Sequence, residues 1–130
     1  MHRASVAAVG LVVALLLPGC ATTCSAIGWS NGVEIDASAY GSEVFLQVCS
    51  EAGCSAGPGV TPTPETDLSV PAQGDAGTFQ FGFAAPVDIT VRVYDDSGIL
   101  IAETEETIAW THSSDPCGGP STAPPVVVAP

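Results

Sequence analysis

At 130 residues the chain can build one domain around a single core, which excludes a two-domain enzyme. Its 14 acidic residues face only Arg3 and Arg92, with no lysine. That balance excludes nucleic acid as a partner, because such binding rests on cationic neutralisation of phosphate. A hydrophobic fraction of 46%, with four Phe and two Trp, supplies the apolar surface that disordered chains lack.

The first element along the chain is an apolar block from Val6 to Leu17, behind a weakly basic start at His2 and Arg3. As a helix it would reach about 18 Å, short of the roughly 30 Å hydrocarbon core. Residues 1–19 are therefore expected to be a helical signal peptide and not a stable span. The block ends in Leu17-Pro18-Gly19-Cys20, which resembles the bacterial lipobox. In that motif a large aliphatic residue lies three before the cysteine, a small residue lies just before it, and the thiol accepts diacylglycerol before cleavage. The resemblance implies acylation of Cys20 by chains such as palmitate, a short tether over 20–23, and a lipid-anchored protein on the extracytoplasmic face of the cell membrane. Two acyl chains give a stable anchor where one binds only marginally. Without the leader, 14 acids stand against Arg92 alone, a net of 13 negative charges.

Five cysteines are an odd number for an exported domain; setting Cys20 aside leaves Cys24, Cys49, Cys54 and Cys117, an even set with three formal pairings. Cys49 and Cys54 bracket "SEAG", where Gly53 can take positive φ, so they can face each other across a hairpin mouth. Cys24 and Cys117 would then tie the first residues of the domain to its last. No CxxC or Cys/His spacing points to zinc.

Beyond Cys24 the hydrophobic period is two. Val33, Ile35 and Ala37 alternate with Glu34 and Asp36, and Val44, Leu46 and Val48 with Phe45 and Gln47, as half-buried strands do. The Pro-rich stretch 55–65 is expected to be a surface loop, and Asp67 to Val70 a short edge strand. Phe79, Phe81 and Phe83 share one face and are assigned to the core. In Val87 to Tyr94, "VDITVRVY", Val87, Ile89, Val91 and Val93 point inward while Asp88, Thr90, Arg92 and Tyr94 point outward. "DDSG" at 95–98 is the hairpin turn, and Ile99 to Thr111 the return strand, with a bulge expected near Glu105 and Glu106. The tail 118–130, "GGPSTAPPVVVAP", is expected to be disordered.

Six or seven short antiparallel strands over residues 24–117 give an all-β domain of two packed sheets. The strand count and the Val87 to Trp110 hairpin resemble the immunoglobulin-like β-sandwich, here without its buried inter-sheet disulfide. A small open β-barrel is the alternative. The combination of "LPGC", "CSAIGW", "VCSEAGC", "VRVYDDSG" and "DPCGGP" resembles small lipoproteins of actinobacteria. That resemblance implies location and fold and brings no activity with it.

Candidate chemistry is sparse. His112, the one imidazole outside the leader, lies beside Ser113, Ser114 and Asp115, but sequence neighbours on one strand end do not converge as a triad does. Glu103 and Glu105 read as a solvated face that discourages edge pairing. Asp95 and Asp96, with Ser97 and Gly98, are weak calcium candidates, as is Asp88 opposite Glu103; no EF-hand spacing occurs. Tyr40, Phe45 and Tyr94 are candidate contact aromatics. The expectation is a non-enzymatic, cofactor-free binding or structural interaction module of the cell envelope, with an envelope protein as partner. The alternative is a small exported ligand or calcium binder using acidic loops.

Overall fold

A computed structural model of the chain describes residues 23–24, 28–64 and 66–130. The expected signal helix over 1–19 and the lipidation site Cys20 lie outside these residues. The regular structure of the described part is β apart from two short 3-10 turns. Its strands are β1 (Gly32–Asp36), β2 (Phe45–Ser50), β3 (Gly53–Cys54), β4 (Ala72–Gln73), β5 (Thr78–Gln80), β6 (Asp88–Tyr94), β7 (Leu100–Thr107) and β8 (Val126–Val127). They form two four-stranded sheets, β4-β5-β1-β8 and β3-β2-β6-β7. No ladder joins the two sheets among the described residues, so they do not close into a barrel. No helix of the described residues is long and apolar enough to cross a membrane.

The alternation of β-branched residues makes each strand two-faced, and the inner faces meet. Val33 and Ile35 of β1, Leu46 and Val48 of β2, Phe79 of β5, and Ile89, Val91 and Val93 of β6 are buried together with Phe81 and Ile108. Each such side chain stabilises the fold by about 1.5 to 3 kcal/mol on leaving water. The central ladder pairs β2 with β6 from Phe45↔Tyr94 to Cys49↔Thr90, placing Leu46 beside Val93 and Val48 beside Val91 on the same buried face.

Several expectations change in three dimensions. The tail is not disordered: Thr122 bridges Thr111, and β8 lies parallel to β1 with Ile35↔Val126 and Asp36↔Val127. Val126 and Val128 supply apolar cover that the edge of β1 needs, and Val128 is wholly buried. Prolines 124 and 125 hold this segment extended rather than unfolding it. Asp67 to Val70 is a turn, not an edge strand, because the Asp67 carboxylate accepts bonds from the Ser69 amide and hydroxyl and Val70 N–H donates to Asp67 O.

Phe79 and Phe81 are core residues, but Phe83 is 63% exposed. The reason is Gly82, whose φ of 58° turns the chain between them. A Cβ at Gly82 would lie 2.7 Å from Leu68 O, so both the positive φ and the close approach require glycine. Val87 is exposed as well, lying just outside β6. The expected bulge at Glu105 and Glu106 is absent. Glu106 pairs with Ile89 and points inward, half-buried on an edge strand where a carboxylate reaches water around the rim. The irregularity sits at the other end, where Val93↔Ala102 is followed by Tyr94↔Leu100 and Ile101 is the extra residue.

Candidate functional site

The end of the sandwich nearest the expected tether is closed by contacts between distant parts of the chain. Cys24 is bonded to Cys117, with Cα atoms 5.2 Å apart. Next to Cys117, Gly118 takes φ 79°, and a Cβ there would lie 2.5 Å from the Trp29 ring, so the indole rests on bare backbone. Trp29 meets Phe83 edge to face, with centroids 5.1 Å apart and planes at 79°.

Beneath this aromatic pair, Asn31 is 3% exposed and fully bonded. Its Nδ2 donates to Phe83 O at 3.2 Å and Ala84 O at 2.9 Å, while Oδ1 accepts from Ser121 N at 2.7 Å. Its backbone N–H donates to Gly82 O and its carbonyl accepts from Phe81 N–H. One side chain thus fixes the start of β1, the 81–84 turn and the returning tail. Asn31 carried no signal in the sequence, since a polar residue before a strand reads equally well as solvated.

The second disulfide, Cys49–Cys54, lies within one hairpin. Cys49 and Cys54 are directly paired in the β2–β3 ladder, with Ser50↔Gly53 next to the turn Glu51-Ala52. Gly53 has φ 144°.

Of the acidic candidates, Asp95 is occupied by its own turn. Asp95 Oδ1 accepts from Ser97 N at 3.0 Å, Ser97 Oγ at 2.7 Å and Ile99 N at 2.9 Å. These bonds, the Ser97 hydroxyl first, hold the Asp95 carboxyl below the usual aspartate range. Asp36 is lowered in the same way by the Ser38 hydroxyl and amide, and Asp67 by Ser69. Asp96 is exposed beside Asp95. Asp88 does not face Glu103: it pairs with Thr107, while Glu103 lies opposite Arg92 and bonds its Nε at 2.7 Å. Glu103 raises the Arg92 pKa. Glu105 accepts from Thr90 Oγ1 at 2.7 Å. Among the described residues, no three His, Cys, Asp or Glu side chains gather as metal ligands would.

His112 finds neither Ser113 nor Ser114. Its Nδ1 lies 2.9 Å from Ser121 Oγ, on the returning tail, and Ser121 is buried. Ser113 Oγ accepts from Asp115 N, and Asp115 Oδ1 accepts from Cys117 N at 2.8 Å, so this segment is a turn leading into the disulfide. Tyr40, Phe45 and Tyr94 are half-buried and not free contact aromatics. Phe45 and Tyr94 meet edge to face at 6.3 Å, and Tyr94 Oη donates to Gln47 Oε1 at 2.9 Å.

Among the clefts that open on the surface of the described residues, two bear on the site. One, of about 350 Å³, is bounded by Trp29, Phe83, Leu68, Val70 and Gln80, with Asp67 at its rim. The other, of about 480 Å³, runs between Phe45, the Val60–Thr63 loop and Pro71. Compared with known proteins, the chain matches no family model, no curated protein and no solved structure.

Proposed function

We propose that the chain is a lipid-anchored envelope protein, acylated at Cys20 and held on the extracytoplasmic face of the cell membrane. Its β domain acts there as a non-enzymatic binding or structural interaction module. The observation that carries this reading is the pairing of cysteines. Two disulfides account for four of the five, and the fifth is the one in "LPGC". Disulfides persist in oxidising compartments outside the cytosol, and the lipobox places the fifth thiol at the new N-terminus. The absence of lysine and the surplus of acids fit a surface that stays soluble and does not adhere to phosphate-rich polymers.

An immunoglobulin-like topology is supported by the strand order. Taking β1, β2, β3, β4, β5, β6 and β7 as strands B, C, C′, D, E, F and G, the sheets read D-E-B and C′-C-F-G. The place of strand A beside B is taken by β8, which arrives from the C-terminus and runs parallel to β1. The non-enzymatic reading is supported by His112, whose described partner is a buried serine and not an acid or an accessible nucleophile.

Mass spectrometry of the protein from the membrane fraction of its native host tests the proposal. The expected polypeptide begins at Cys20, carries diacylglycerol and an intact pair of cystines, and is lost from the membrane fraction in Cys20→Ala. A chain that begins at Met1 without fatty acid and with reduced thiols overturns it.

A further inference from the structure

We infer that the exposed patch formed by Trp29, Phe83 and Leu68 docks into the lipid interface beside the anchor, so that the domain rests on the membrane by one defined end. This inference rests on the acylation of Cys20. Phe83 is 63% and Leu68 64% exposed, and both line one cleft with the half-buried Trp29. Trp29 rests on Gly118 and touches Phe83, while Gly82, the residue before Phe83, packs against Leu68. The patch is therefore one continuous surface.

Its place in the chain argues for lipid as the occupant. Cys20 precedes Cys24 by four residues, which reach about 14 Å when fully extended. Cys24 is bonded to Cys117, whose neighbour Gly118 lies directly under the Trp29 ring. A chain acylated at Cys20 has no length to carry this end far from the leaflet, and the effective concentration of lipid at the patch is on the order of millimolar or above. An indole with an apolar body and a polar N–H is suited to the headgroup boundary, and Phe and Leu add apolar area. Three side chains bind too weakly to hold a free protein, so the patch adds orientation to an anchor and does not replace it.

The charge pattern fixes which lipid the contact uses. Arg92, the one cation outside the leader, lies on the β6–β7 face paired with Glu103, and Asp67 stands at the rim of the patch. The contact is apolar, and it forms on zwitterionic lipid and weakens on anionic lipid at low salt.

The test places the acylated mature protein in phosphatidylcholine vesicles and reads tryptophan emission with brominated acyl chains as quencher. Trp110→Phe leaves Trp29 as the reporter, and the parent compared with Trp29→Phe gives the same contrast by difference if that variant fails to fold. The expected result is a blue shift and quenching of Trp29, lost in Phe83→Ser/Leu68→Ser although the variant still floats with the vesicles. Floating protein whose Trp29 is neither shifted nor quenched overturns the inference. So does a shift that follows protein concentration without vesicles, which would assign the patch to a second copy of the chain. If the protein does not float, the acylation reading has failed; coupling the Cys20 thiol to a maleimide lipid then restores the tether, and quenching of Trp29 decides the patch alone.

Discussion

At the β6–β7 hairpin Asp95 reaches no further than Ser97 and Ile99, whereas at the other end of β6 Asn31 bonds Ser121, 90 positions away, and Cys24 bonds Cys117, 93 away. The hairpin is assembled from neighbours. Arg92 meets Glu103, Thr90 meets Glu105, and the whole ladder is set by one turn. The end closed by Cys24–Cys117 is assembled from four remote segments, and its central polar groups, Asn31 and Ser121, are buried where the hairpin's carboxylates Glu103 and Glu105 are exposed. The lesson is energetic as well as topological. Exposed charge pairs contribute little, while a long cross-link and a saturated buried amide each act on the whole fold.

The largest effect expected from this contrast follows removal of the long disulfide. In the chain-entropy account, Cys24→Ser with Cys117→Ser costs about 4 to 5 kcal/mol, measured as the loss in urea unfolding free energy. A loss no greater than that from opening the short disulfide would break the comparison. Asn31→Ala comes next, at about 2 to 4 kcal/mol, because Phe83 O, Ala84 O and Ser121 N lose partners in a buried site. A loss below 1 kcal/mol, on the order of an ordinary surface change, would mean that water enters the site freely.

Cys49–Cys54 closes a much shorter loop, and for opening it the same entropy account gives a loss of about 2 kcal/mol. The hairpin turn gives the smallest effect, visible mainly through pH. Asp36, Asp67 and Asp95 are all held below the ordinary aspartate value in the folded state. Their contribution is therefore complete above about pH 4 and is lost as pH falls through the folded values. Asp95→Ala should flatten this acid limb in thermal melts by lowering the melting temperature slightly at neutral pH, with variant and parent converging as the pH falls. A large loss at neutral pH would place the turn among the structural determinants now assigned to the end closed by Cys24–Cys117.

What could be read along the chain follows the same division. Val87 to Tyr94 displays its inner and outer faces by alternation, and "DDSG" announces its turn, since both signals lie within a few residues. Only the end at Val87 fails: it lies before β6 begins at Asp88 and stays exposed, although its carbonyl still accepts from the buried Ile108. Phe83 misleads because parity cannot register the reversal at Gly82, which depends on the close approach of Leu68. The tail misleads for the opposite reason. Its proline content argues for disorder, yet Val126 and Val128 alternate as a strand does and find an open edge at β1. The candidate site was less legible still: adjacency rules out Ser113 and Ser114 as partners for His112 but does not say what replaces them, and Ser121 reaches it only because the tail folds back.

The amino-acid order by itself determined the strand faces, the tight turns and the acidic, lysine-free surface, because each depends on residues within one or two turns of chain. Tertiary structure alone decided which strand borders β1, which of three phenylalanines stays outside, and what partners Asn31. Those outcomes depend on surfaces from distant segments meeting, and no local pattern encodes which surface will arrive.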